Sequence, residues 1–131
     1  MIGGIGIDYW QVLSHHSKYF CELIRVHMNA GHAVHIVSAV GENRINTVDD
    51  AVRKIMAENG VGAYFPQVHE LVFDDPKESP ELKLAACKAL GIVAFYDDRD
   101  DVCRLLNKNG VTAMRVTRKD NSTYDLGAEI K

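Results

Sequence analysis

An α/β layered fold with a mostly parallel sheet follows from two observations on this sequence. Helix-like segments alternate with short apolar runs along most of the chain, and four of those segments end in a glycine followed at once by an apolar run. The glycines are Gly31, Gly60, Gly91 and Gly110. Glycine just past a helix end relieves the cost of left-handed backbone. An apolar run directly after it reads as a strand buried on both faces. Parallel strands joined through helices imply right-handed crossovers.

The elements can be taken in order. Ile2–Ile7 opens the chain as a buried strand. Ser14 is a candidate cap for a helix carrying Phe20, Leu23, Ile24 and His27 at helical spacing. His32–Val37 is the second strand. Thr47, with Asp50 three residues on, suggests a capping box before Val48, Val52, Ile55 and Met56. Val61–Phe65 reads as a strand, and Leu71–Phe73 as another. Ser79-Pro80 supplies a cap and a first-turn proline ahead of Leu82, Ala85, Ala86 and Leu90. Ile92–Tyr96 is a strand. Asp98 or Arg99 opens a helix that turns Val102, Leu105 and Leu106 inward, and Val111–Met114 is the last strand. Residues 117–131 are polar and are expected to form a surface segment or tail.

Composition narrows the function classes. The chain has 131 residues, 47% of them hydrophobic and 25% charged, which suits one soluble domain over residues 1–131 with a core at about 2–116. Three cysteines are too few, and odd in number, for a disulfide framework. No apolar run approaches the ~20 residues of a membrane helix. The start of the chain shows no basic region followed by an apolar stretch. A cytoplasmic, reduced protein is the expectation. The sequence pI near 6.0 gives no basic footprint for nucleic acid, leaving a local basic groove as the one way to bind it.

In an open parallel sheet, ligands bind at the carboxyl ends of the strands. The residues that close the apolar runs are Asp8, Ser38, Asp74-Asp75 and Asp97-Asp98. One Asp in such a place is ordinarily a turn residue or a helix cap. Several on one edge repel each other unless a cation sits among them, and a hard, oxygen-liganded ion such as Mg²⁺ meets that need.

These residues carry a resemblance. Ile5-Gly6-Ile7-Asp8-Tyr9-Trp10-Gln11-Val12, Val34-His35-Ile36-Val37-Ser38, a lysine near a helix start, and Val93-Ala94-Phe95-Tyr96-Asp97-Asp98-Arg99 follow one another in the order of the four motifs of the haloacid dehalogenase-like superfamily. Lys77 fits the family's spacing to the Leu90-Gly91 helix exit, and Lys83 is a second candidate. The resemblance covers roughly residues 2 to 116. It implies a three-layer Rossmann-like core with a five-stranded or larger sheet and no cap domain. It also implies a Mg²⁺-dependent phosphatase acting through an aspartyl-phosphate on Asp8. In that reading Ser38 and Lys77 hold the phosphoryl oxygens. Mg²⁺ is held by Asp8, the Trp10 carbonyl, and Asp97 and Asp98. The partner is a phosphorylated substrate of unknown identity. The Asp97-Asp98-Arg99 sequence is reminiscent of members that act on nucleic-acid ends, a substrate the pI does not support.

One position departs from the family pattern. Its phosphatases carry a second Asp two residues after the nucleophile as general acid–base, and here that residue is Trp10, which cannot transfer a proton. Such a loss typically costs about 10²–10⁴-fold in rate. The alternative is therefore a catalytically impaired binding or regulatory protein on the same fold. His15 or His16 is a candidate replacement acid, although adjacent helical residues point in different directions.

Other features carry less. Gly3-Gly4-Ile5-Gly6 lies inside a strand, which suits close backbone approach better than a dinucleotide loop. Cys21, Cys87 and Cys103 form no Cys-x-x-Cys pair and read as small buried thiols. His32 and His35 fall three apart on a strand and make a poor metal pair, and His69 has no evident partner. Arg44, just beyond Ser38, could meet a substrate phosphate from an otherwise solvated loop.

Overall fold

The backbone alternates as the glycine punctuation predicts. A computed structural model of the chain describes residues 3–118. Its strands are β1 (Gly4–Ile7), β2 (Val34–Gly41), β3 (Gln67–Phe73), β4 (Ile92–Asp97) and β5 (Thr112–Arg115). Its helices are α1 (Ser17–Asn29), α2 (Thr47–Glu58), α3 (Ser79–Leu90) and α4 (Asp100–Lys108). The five strands form one sheet in the order β3-β2-β1-β4-β5, every neighbouring pair parallel. This is a Rossmann-like α/β architecture. Gly31, Gly60, Gly91 and Gly110 all take positive φ, between 70° and 87°, as helix exits require.

Two apolar clusters divide the core. Phe20 and Ile24 of α1 and Val48, Val52 and Met56 of α2 pack with Ile5, Ile7 and Ile36. Cys87 of α3 and Val102 and Leu106 of α4 pack with Val37, Ile92 and Phe95. Strand side chains alternate between faces, so one sheet serves both clusters and the layers are helix, sheet, helix. The β1 glycines make room for this. A Cβ on Gly6 would lie 2.7 Å from Phe95 Cδ2, and one on Gly4 would lie 3.3 Å from His35 Cδ2. The close approach expected there is what the structure has. Among the described residues, no helix is long and apolar enough to cross a membrane.

Several sequence expectations need correction. Val61–Phe65 is not a strand: Gly62–Tyr64 is a single 3₁₀ turn, and the strand after α2 is β3. Gly62 and Ala63 have little side chain to pack on a sheet, and Pro66 has no N–H to give a ladder. Ser14 does not cap α1. Its Oγ accepts from the Gln11 N–H at 2.9 Å, and α1 starts three residues later behind His16. The start of α2 has no Thr47–Asp50 box. Thr47 Oγ1 donates to the Arg44 carbonyl, and the Glu70 carboxylate, reaching over from β3, accepts the N–H groups of Asn46 and Val48. Before α3 the capping box is one turn early, where Asp75 and Glu78 close a 3₁₀ turn around Pro76. The inward stripe of α3 is Ser79, Lys83 and Cys87, and Ala85 is exposed. Of the expected polar segment 117–131, residues 119–131 lie outside the described part, as does Ile2.

Candidate functional site

The carboxyl edge of the sheet is where the chemistry collects. Ile7 and Tyr96 are register partners, and the Asp8 N–H donates to the Tyr96 carbonyl at 2.9 Å. The β1–β4 ladder thus runs on past the last strand residue and sets Asp8 beside Asp97. Ile7 is also in register with Ile36, which brings Ser38 to the same edge. After Asp8 the chain turns at once. Trp10 is extended and Gln11 takes a left-handed φ of 67°, so the segment from Tyr9 to Leu13 is a kinked turn between β1 and α1.

Asp8, Asp97 and Asp98 are all buried, and one carboxylate oxygen of each lies within 4.8 Å of the others. The buried Lys83 reaches them from α3, with Nζ at 3.0 Å from Asp8 Oδ1 and 2.7 Å from Asp97 Oδ2. The Arg99 N–H donates to Asp97 Oδ1 at 3.0 Å, and Arg118 Nε lies 3.0 Å from Asp98 Oδ2. Three carboxylates therefore share two cationic side chains. Burial, then Asp97, push the Asp8 carboxyl well above its ordinary range, against the pull of Lys83. Asp97 is raised too, again by burial first. Burial alone would lower the Lys83 ammonium. Asp8 and Asp97 together reverse that, and it ends above its usual value.

This donor set suits a small hard cation. Its oxygens lie within 4.8 Å of one another, and the widest ligand pair on an octahedral Mg²⁺ spans about 4.2 Å, so the carboxylates would have to close in slightly to bind one together. All three donors are carboxylates, the ligand type such ions prefer.

A cleft of about 550 Å³ opens above the cluster. Asp8, Ser38, Lys83 and Asp98 lie along it, together with Trp10, Phe73, Ser79 and Arg44. Ser38 and Ser79 are buried, Arg44 is exposed, and Trp10 keeps 43% of its surface in solvent. Arg99 also borders the cleft, but its guanidinium forks onto Asp101, with Nε–Oδ1 at 3.0 Å and Nη2–Oδ2 at 2.7 Å.

Of the residues singled out in the sequence, Asp8, Ser38, Trp10, Asp97 and Asp98 meet at this edge, and Lys77 does not. Lys77 sits in the 3₁₀ turn before α3, exposed, with its own N–H on Asp75. Lys83, six residues further on, stands at the cluster instead. Asp74 and Asp75 are exposed, and Asp75 is spent on the turn. The histidines beside the first motif border the cleft only indirectly. His15 places its ring edge-on to Trp10 at 4.9 Å between centroids, with Nδ1 2.7 Å from Ser14 Oγ. His16 Nε2 meets the Thr117 carbonyl at 3.0 Å.

Sequence pattern does not mark Ser79, Phe73 or Arg118 as residues of this edge. Local pattern marks Ser79 as a cap, yet it stands four residues before Lys83 and eight before Cys87, a stripe visible in the sequence. Arg118 lies beyond the last strand, where no local pattern marks it. His69 is not isolated: its Nε2 lies 3.0 Å from His35 Nδ1 across the β2–β3 pair. His32 is paired through Nδ1 with His27 at 2.9 Å.

No protein-family model matches the chain, and no curated protein matches it. Among solved structures, a chain of a "Pnkp1/Rnl/Hen1 complex" is similar to it, with a TM-score of 0.63 at 11% identity. The likeness covers 89% of this chain and 46% of that one, so this chain spans less than half the length of the chain it resembles. At that identity the shared feature is the fold.

Proposed function

We propose that this protein is a Mg²⁺-dependent phosphohydrolase that works through an aspartyl-phosphate on Asp8. The observation that carries the reading is the buried cluster at the cleft floor, where Asp8, Asp97 and Asp98 stand within 4.8 Å beside Lys83. A purely structural core has no need of that much like charge at one point, and burying it is costly.

The roles follow from position. Asp8 would attack phosphorus, and water would then release phosphate from the acyl phosphate; carboxylate nucleophiles of this kind are an established class. Lys83, already on Asp8, and the Ser38 hydroxyl would hold the phosphoryl oxygens as charge develops. Asp8, Asp97 and Asp98, with the Trp10 carbonyl, would bind Mg²⁺, which screens carboxylate and phosphate charge and polarises the phosphoryl group.

The test is hydrolysis of an aryl phosphate with and without Mg²⁺ by wild type and Asp8→Asn. Mg²⁺-dependent turnover lost in Asp8→Asn is the expected result; turnover that persists in Asp8→Asn removes the mechanism. The second reading is a phosphate-binding or regulatory protein with little turnover, and it rests on Trp10 standing at the cleft two residues from Asp8. Under that reading wild type is silent and Trp10→Asp acquires activity.

A further inference from the structure

The cleft is poor in groups able to give up a proton. Among the described residues that line it there is no histidine, glutamate or cysteine. Its aliphatic hydroxyls, on Ser38, Thr47 and Ser79, and its guanidinium groups, on Arg44 and Arg99, are too weakly acidic to act as proton donors to a leaving group. Lys83 is spent on Asp8 and Asp97, and Asp98 on Arg118. Tyr9, the one phenol among the described residues that line the cleft, packs against the apolar cluster of α1 and α2. The indole of Trp10 is a hydrogen-bond donor and not an acid.

Resting on the phosphohydrolase reading, we propose that this cleft selects substrates whose leaving group departs as a stable anion, namely aryl phosphates, acyl phosphates or phosphoanhydrides, and discriminates against alkyl phosphates. The first step then balances without a proton. An Asp8 oxygen bonds to phosphorus, the bond from phosphorus to the leaving oxygen breaks, and the electron pair leaves on that oxygen. In the second step the oxygen of water bonds to phosphorus, the bond to Asp8 breaks and its pair returns to the carboxylate. The proton of water passes to solvent. A phenol ionises near pH 10 and a carboxylic acid near 4, whereas an alkoxide is about as basic as hydroxide, whose parent water ionises near 15.7. Only the alkoxide demands a proton as it leaves.

The second step is slowed as well, because the carboxylates that could take the proton of water are themselves held, Asp8 and Asp97 by Lys83 and Asp98 by Arg118. The phospho-enzyme therefore accumulates, and a burst of about one leaving group per chain precedes steady turnover.

The experiment is rapid-mixing release of the leaving group, with Mg²⁺, from substituted phenyl phosphates of graded phenol acidity and from one alkyl phosphate, by wild type and Trp10→Asp. The expected result is a burst whose rate falls steeply as the phenol becomes less acidic. Trp10→Asp should raise the alkyl rate about 10²–10⁴-fold more than the rate on the most acidic phenol. A wild-type rate indifferent to leaving-group acidity overturns the inference and leaves the phosphohydrolase reading standing; a proton donor such as His15 then reaches the substrate, which His15→Ala would reveal. Release of no phenol by either protein, even from the most acidic member, overturns both.

Discussion

The two ends of this sheet bury polar groups by opposite means. At the carboxyl end, Asp8, Asp97 and Asp98 meet Lys83 and Arg118, and the groups face one another as charges. Towards the amino end, His35 meets His69 and His27 meets His32, each pair through ring nitrogens about 3 Å apart, an arrangement that needs at least one neutral ring. Burial raises the carboxyl groups of Asp8 and Asp97 and lowers the imidazoles of His27, His35 and His69. Both shifts favour the neutral form. The lesson is that the carboxyl end gathers three carboxylates against two cationic side chains, a set that a metal cation or a phosphoryl group can use.

The comparison breaks most violently at Lys83. Lys83→Met leaves the carboxylates without their nearest cation and should cost about 3–5 kcal/mol in urea denaturation at neutral pH. Added Mg²⁺ should return part of it, since a cation that binds only the native state stabilises it. A loss below about 1 kcal/mol would mean that water, not Lys83, already compensates the cluster.

Next comes the pH dependence of the chelated protein, where the two ends pull in opposite directions. For Asp8 and Asp97 the native value lies above the unfolded one. Between the two, the native state holds more protons, so their contribution to stability falls as pH rises through that window. For His35 and His69 the native value lies below 6.5, so stability rises with pH up to about that value. Asp8→Asn should remove part of the first slope and melt no lower than wild type at neutral pH, because it relieves carboxylate repulsion. A large drop in its melting temperature would contradict this. His69→Phe should flatten the second slope at a cost of about 1 kcal/mol, read as the difference between its melting curve and that of wild type across pH 5 to 7.

The smallest effect belongs to Lys77. Lys77→Ala should stay within about 0.5 kcal/mol of wild type and leave any hydrolysis of an aryl phosphate unchanged. A rate loss comparable to that of Lys83→Met would return Lys77 to the site.

That pair of lysines shows how far the site was legible. The strand-closing acids Asp8, Asp97 and Asp98 could be read because a parallel sheet carries all strand ends to one edge, whatever the details of packing. The lysine could not be read from its distance to Gly91. Lys77 falls in a proline-led turn that points it outward, and only helical phase separates it from Lys83. The burial of Ser79 and Cys87, each four residues from Lys83, marks the inward stripe, but a lysine on an inward stripe runs against every ordinary burial preference. The glycine exits were legible for the same reason as the acids, since backbone geometry alone demands them. The false strand at Val61–Phe65 and the misplaced caps were not, because tertiary partners overrode local pattern: Glu70, from a neighbouring strand, does the capping that Thr47 was expected to do.

Arg118 has a consequence for where this domain ends. The last strand closes at Arg115, yet the guanidinium that meets Asp98 belongs to a residue three positions later. A shortened chain stopping at the sheet would retain every helix and strand of the described residues and still unbalance the acidic cluster. Among the described residues, the electrostatic unit thus reaches past the last strand.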